Sequence, residues 1–329
     1  MTKEQSDAAQ LAYTPGMTLR EACLQASSLL SAEGVSEPRS NAELLLMHLL
    51  GKERAELLRD WVEPMPVEKW DIWREYIGRK LAGEPVQYIM REQWFYGLPF
   101  HVQPGVLIPR PETELLVEAV LEAADRLWPQ AAGGEAGGES PARDRQVPTV
   151  IDVGTGSGAI AVTLAVQRPA WRVCASDLSE DALEVARTNA ARHEEGQRIT
   201  FVQGDLLGPF MVRPDGVGSA SGGVAGLRAD ILVSNPPYIP AGELAHLQRE
   251  VRDYEPRLAL DGGADGLDPY RRMLEQLPGL ASVPRIVAFE LGMGQAQEVA
   301  RLLREYGAWQ EIRIIEDYAG IERHVIAIG

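Results

Sequence analysis

Apolar residues recur at helical spacing along the first quarter of the chain. Thr18-Leu19-Arg20-Glu21 has the form of a capping box, in which hydroxyl and carboxylate satisfy the amides that a helix start leaves free. Behind it, Leu19, Cys23, Ala26 and Leu30 fall on one stripe, and Gly34 marks the end. Ser40-Asn41-Ala42-Glu43 has the same form and predicts a short helix through Leu50, stopped by Gly51. Pro66 suits a helix start, and Trp70, Trp73, Ile77 and Leu81 make a further stripe after it. The expectation is a loose tail over 1–16 and a small helical bundle over 17–85.

The pattern then changes. Val86, Tyr88, Trp94, Tyr96, Phe100 and Val102 favour strands, and Gly97-Leu98-Pro99 signals a turn, so 86–108 is expected to be a linking β-hairpin. A helix follows with Leu115, Leu116, Ala119, Val120 and Ala123 facing inward. From Pro148 onward, apolar runs alternate with amphipathic helices, which predicts a parallel α/β sheet. Strands fall near 149–153, 172–176, 199–203, 229–233 and 285–290. Glu311–Ile315 and His324–Ile328 are joined by only a few residues and must pair antiparallel. Two stretches rich in glycine, near 131–147 and 212–228, are expected to be flexible insertions. A parallel sheet ending in an antiparallel hairpin is the layout of the Rossmann-like class I methyltransferases, here expected over 109–329.

Composition narrows the options. With 329 residues, 45% hydrophobic and 24% charged, the chain reads as a soluble globular protein of two domains. No apolar run is long enough to span a bilayer, and the polar, acid-bearing N-terminus does not read as a signal peptide, so a cytoplasmic protein without membrane association is expected. The net charge of −16 argues against a dedicated nucleic-acid binder, as does the bundle's balance of nine Lys and Arg against twelve Asp and Glu over 17–85. Cys23 and Cys174 read as small buried hydrophobes. The five histidines (His48, His101, His193, His246 and His324) lack metal-ligand spacing, and no metal is expected.

Val150 to Ile160 reads as strand, glycine loop and helix start, with Gly154, Thr155, Gly156, Ser157 and Gly158 in the loop. Glycine lets a ligand approach the backbone there. Asp177 ends the next strand, where a carboxylate can take both ribose hydroxyls through charge-assisted bonds of about 1.5–3 kcal/mol each. Asp205 is placed to meet an adenine amino group, with Leu206 against the ring. Up to this point a dinucleotide fits equally well, because Gly154, Gly156 and Ala159 match that fingerprint too.

Asn235-Pro236-Pro237-Tyr238 decides between them. It stands at the carboxyl end of the fourth parallel strand, where open sheets bind ligands. The prolines cannot continue a ladder and instead stiffen a loop. The Asn235 side-chain carbonyl and the Pro236 backbone carbonyl can then face one planar –NH2, and Tyr238 can stack on its conjugated system. Two acceptors pulling on the hydrogens free a delocalised lone pair. A sulfonium methyl donor such as S-adenosylmethionine, leaving as S-adenosylhomocysteine, then needs little beyond alignment. A glutamine amide and the amino group of adenine or cytosine both meet this description. A non-catalytic nucleotide-binding regulator and a dehydrogenase leave the clamp unexplained.

With these residues in place, the chain resembles the release-factor glutamine methyltransferases from about Leu19 to its C-terminus. The resemblance is carried by Gly83-Glu84-Pro85-Val86-Gln87-Tyr88-Ile89, Leu107-Ile108-Pro109-Arg110-Pro111-Glu112-Thr113-Glu114, the loop Asp152 to Gly158, Asp177, the clamp, Tyr254-Glu255-Pro256 and Leu258 to Gly263. It implies that S-adenosylmethionine binds at Gly154, Thr155, Gly156, Ser157, Gly158, Asp177, Asp205, Leu206 and Asn235. It further implies that the N-terminal bundle contacts a peptide chain release factor, with Asn235 and Pro236 holding the glutamine amide of its Gly-Gly-Gln loop. The alternative is a nucleic-acid adenine or cytosine amino-methyltransferase. The two glycine-rich insertions are longer than the resemblance leads one to expect, and Leu206 stands where some members carry an aromatic.

Overall fold

The helical stripes of the N-terminal segment close on one another. In the computed structural model, which describes residues 11–129, 147–196, 198–212 and 224–329, the chain divides into two units. The first runs to Glu92 and contains α1 (Leu19–Ala32), α2 (Pro38–Leu50), α3 (Arg54–Arg59), α4 (Trp70–Leu81) and α5 (Val86–Met90) around a core that includes Leu30, Leu45, Leu46, Trp73 and Ile77. The Thr18–Glu21 capping box is formed, with both reciprocal bonds present. At two places the structure differs from the sequence reading. α2 starts at Pro38, whose preset φ suits the first turn, so Ser40 lies inside the helix and Glu43 instead pairs with Arg39 at 2.8 Å and Arg54 at 3.4 Å. Val86–Met90, read as strand, is a short helix that starts behind Pro85, buries Val86, Tyr88 and Ile89, and stops at Arg91 with φ of 57°.

A remote segment, Gln248–Tyr254, completes this unit through the short helix Arg249–Tyr254. Lys80 is fully buried and reaches Glu250 at 2.5 Å, and the Tyr254 hydroxyl donates to the Ala82 carbonyl at 3.0 Å. Expecting 109–329 as one uninterrupted body missed this return.

The second unit holds Gln93–Leu247 and Glu255–Gly329. Its hairpin is shorter than expected: β1 (Glu92–Phe95) and β2 (Leu98–His101) turn at Tyr96-Gly97, both at positive φ as a two-residue turn requires. After α6 (Pro111–Leu127) come β3 (Thr149–Val153), α7 (Ala159–Gln167), β4 (Arg172–Asp177), α8 (Glu180–Arg192), β5 (Ile199–Gln203), β6 (Ile231–Ser234), β7 (Ile286–Glu290), β8 (Glu311–Glu316) and β9 (Glu322–Ile328). The strand order is β5-β4-β3-β6-β7-β9-β8, parallel except for β9, which runs antiparallel to both neighbours. This is the expected α/β class I methyltransferase sheet with its terminal antiparallel hairpin.

Successive residues of the central strands feed opposite cores. Val150, Ile231, Val233, Ile286 and Ala288 join the core that includes residues of α6 and α7. Ile151, Val153, Leu232, Val287 and Phe289 join the core under helices Asp268–Gln276 and Ala296–Tyr306. Burial on both faces explains why these strands read as continuous apolar runs. Strand order reverses between β3 and β6, so a crevice opens at their carboxyl ends. Residues 1–10 of the tail, 131–146 of the first glycine-rich stretch and 213–223 of the second lie outside the described residues, while Val224 of the second is buried in a core. Among the described residues, no helix is long and apolar enough to cross a membrane.

Candidate active site

Both sequence motifs stand at the switch point. The glycine loop follows β3 and Asn235 follows β6, and the Ser234 hydroxyl donates to the Val153 carbonyl at 2.6 Å, tying the two strand ends together. Gly158 opens α7 with φ of 83°, and a Cβ there would stand 3.1 Å from that of Ala186. Loop and helix are pinned from below by Asp152, whose Oδ2 accepts from the Thr155 hydroxyl at 2.6 Å and the Ala161 amide at 3.2 Å.

The loop's own hydrogen bonds distinguish its ligand. The amides of Gly154 and Thr155 donate to the Ser176 carbonyl, and that of Gly158 to the Thr155 carbonyl. The Gly156 amide donates to Asp177 at 2.8 Å. A pyrophosphate site needs such amides free. Here four of the loop's five amides are spent, and a carboxylate stands beside them. That arrangement suits a nucleoside carrying hydroxyls and no phosphate. Asp177 also accepts the Ser179 amide at 2.9 Å, and burial raises its carboxyl above the usual value against the pull of the Ser179, Gly156 and Leu178 amides.

Across the cavity, Asn235 donates through Nδ2 to the Thr113 hydroxyl at 3.2 Å, while its Oδ1 is buried and has no partner. Thr113 donates in turn to Glu290 at 2.6 Å. A buried acceptor left open costs about 1–3 kcal/mol, so a site that keeps one is prepared for a donor. The backbone after the clamp is held too: Gln295 donates to the Tyr238 carbonyl at 2.9 Å. Gly262 lies so close that a Cβ there would come within 2.8 Å of the Pro237 oxygen and the Tyr238 Cα. Burial pushes the Tyr238 phenol up to about 12, so it stays protonated and is no general base near neutrality.

One cavity of about 400 Å³ brings together Gly154, Gly156, Asp177, Asp205, Leu206, Asn235 and Pro237. Thr155, Ser157, Gly158, Pro236 and Tyr238 are not on its lining; the first three shape the loop, and the last two complete the turn. Asp205 is half exposed and ion-paired with Arg272, so its carboxylate is shared between that guanidinium and any adenine amino group. The sequence reading assigned no role to two stretches that also line the cavity, Gly105–Leu107 and the span from Pro256 to Gly263. Of these, Leu107, Pro256 and Leu258 to Gly263 belong to the family-like stretches, whereas Gly105 and Val106 carry no sequence signal. Among the described residues, no cluster of His, Cys, Asp or Glu could hold a metal.

A phosphate-free nucleoside site on a sheet of this order is the mark of class I S-adenosylmethionine-dependent methyltransferases, and the chain is one. Residues 150–215 match the methyltransferase domain model, and residues 21–90 match the PrmC N-terminal domain. The release factor glutamine methyltransferase of Chlorobaculum tepidum is 43% identical over 88% of this chain and 90% of its own length. That of Moorella thermoacetica is 42% identical over 94% and 98%. The chain belongs to the release factor glutamine methyltransferase family. Among solved structures, the METTL16 catalytic domain in complex with a MAT2A 3′UTR hairpin is similar over 71% of this chain and 76% of that one, at 14% identity and a TM-score of 0.49.

Proposed function

We propose that this chain methylates the side-chain amide nitrogen (N5) of the glutamine in the Gly-Gly-Gln motif of peptide chain release factors, in the cytoplasm. The observation that carries this reading is the buried, unpartnered Oδ1 of Asn235 on the cavity shared with Asp177 and the glycine loop. S-adenosylmethionine supplies the methyl group and a good leaving group. Asp177 holds its ribose, Gly154 and Gly156 let it approach the backbone, and Asp205 and Leu206 flank the adenine.

Asn235 Oδ1 and the Pro236 carbonyl accept the two amide hydrogens, which favours pyramidal nitrogen and frees the lone pair. They also fix its direction, and alignment of this kind is worth orders of magnitude in rate. Tyr238 supports the amide plane and remains a phenol. The proton leaves to water after transfer, and no metal takes part. The N-terminal unit, with its small acidic excess, receives the body of the protein partner.

Labelled S-adenosylmethionine with a purified release factor, the same factor with its loop glutamine changed to alanine, and DNA tests the reading. Label is expected on the intact factor alone. Equal label on the altered factor, or label on DNA, overturns it.

A further inference from the structure

Asn235 can serve as an acceptor only if its amide is turned the right way. Both orientations of an amide have nearly the same shape, so packing alone does not choose between them. Hydrogen bonding does. The Thr113 hydroxyl has one proton and two lone pairs. It lies 2.6 Å from Glu290 Oε2 and 3.2 Å from Asn235 Nδ2. Thr113 and Glu290 are each only 3% exposed, so water does not compete for these bonds. His324 stands 3.8 Å from the same Glu290 oxygen, beyond hydrogen-bond reach. The Glu290 backbone is held as well: its carbonyl accepts the Tyr270 hydroxyl at 2.7 Å.

A carboxylate only accepts. The single Thr113 proton is therefore committed to Glu290, and toward Asn235 the hydroxyl has only a lone pair to offer. A lone pair selects the –NH2 end of the amide and sends the carbonyl end away. That end is the Oδ1 without a partner. We propose that Thr113, locked by Glu290, is a positioning residue that fixes the Asn235 carbonyl toward the substrate nitrogen. The reversed amide would aim its own hydrogens at those of an incoming –NH2 and cancel the clamp. This inference rests on the amide-methylating reading above. It adds a reason for selecting amide over acid: with two acceptors fixed in place, a glutamate carboxylate at the same spot is repelled.

Thr113→Val keeps the shape and removes both hydrogen bonds; Thr113→Ser keeps the hydroxyl. The expected result for Thr113→Val is cofactor affinity within about twofold, a melting temperature within a few degrees, and kcat on the release factor lowered roughly 10- to 100-fold. Thr113→Ser restores most of the rate. A release factor carrying glutamate in place of the loop glutamine should inhibit Thr113→Val more strongly than the unaltered enzyme, because the freed amide can turn its –NH2 toward the carboxylate. The lock is also read without substrate, from the side-chain amide resonances of Asn235 by NMR. These should be shifted and slow to exchange in the unaltered protein and in Thr113→Ser, and free-amide-like in Thr113→Val. Full kcat in Thr113→Val, equal loss in the valine and serine variants, or unchanged Asn235 resonances would overturn the lock. Failure of the unaltered enzyme to label any release factor, with the resonances as expected, would sink the substrate reading and leave the lock standing.

Discussion

Asp152 lies beneath the glycine loop with no solvent exposure, and the pH dependence of folding should bear its signature. Oδ2 holds Thr155 and Ala161, while Oδ1 is buried without a partner. Burial raises the carboxyl, the Thr155 and Ala161 bonds pull it partly back, Asp177 adds a smaller upward push, and the net effect lifts it from 3.8 to about 7. A raised pKa in the folded state means that the folded chain binds this proton more tightly than the unfolded chain does. Stability from this group is therefore greatest in acid, falls as pH rises from about 4, and is lost once pH passes about 7.

The full span corresponds to about 4 kcal/mol, of which about 2.5 kcal/mol falls between roughly pH 5 and pH 8. Asp152→Asn keeps a carbonyl for Thr155 and Ala161 but cannot ionise. Its –NH2 replaces one orphan atom by another, at a cost of about 1–3 kcal/mol that does not depend on pH. Urea unfolding of both proteins at the two pH values checks the idea, and taking the difference between them cancels every other titrating group. The variant should gain about 2–3 kcal/mol on the unaltered protein on going from acid to base. Parallel pH profiles would refute a carboxyl that titrates through burial, whatever the absolute stabilities.

Asp177→Ala should weaken S-adenosylmethionine binding by calorimetry about 100-fold or more, through loss of two charge-assisted bonds, and change kcat at saturating cofactor far less. Asn235→Ala should do the reverse, with kcat lowered about 100-fold and cofactor affinity within a few-fold; loss of both together would mean that Asn235 serves the cofactor. Gly262→Ala forces a Cβ against the backbone of Pro237 and Tyr238, so single-turnover methylation should slow about tenfold or more while the fold survives. Lys80→Met frees Glu250, which is 31% exposed and can be solvated, so the cost should be only about 1 kcal/mol. Hydrogen exchange over 248–254 should then rise; unchanged protection there would show that the ion pair does not hold the segment.

Much of this was legible in the sequence because it is local. β3, β6 and β7 announce themselves as apolar runs, since both faces are buried. The glycine loop and Asn235 each sit directly after such a run. Failures arose where a short stretch is decided by what it packs against. Val86–Met90 has β-forming residues, yet Val86 and Ile89 face a helical core and the backbone follows. The four-residue box at Ser40 lost to Pro38, two positions earlier, because proline at the first turn needs no partner at all. Thr113 and Glu290 meet across 177 positions of sequence, and Arg110 and Glu255 across 145. No periodicity or local motif connects residues so far apart.

Those long-range partners give the Pro-Arg-Pro-Glu-Thr-Glu stretch a structural task of its own. The stretch is a brace with three attachments at the start of α6. Arg110 pairs with Glu255, whose other oxygen accepts the Ile108 amide at 3.3 Å, and this holds the chain just ahead of Pro256, one of the cavity's lining residues. Thr113 bonds Glu290 and Asn235, and so connects the end of β7 to the clamp. Glu114 accepts the Tyr96 amide at 2.8 Å and steadies the β1–β2 turn at a residue forced to positive φ. Each attachment uses a different residue type for a different reason: a guanidinium for a nearly buried carboxylate, a hydroxyl for its single proton, a carboxylate for a turn amide. Replacing any one leaves a distinct partner open, so the three cannot be traded against each other. The loop from Asn235 to Tyr238 depends on such a frame, because its two prolines stiffen it but do not determine where it stands.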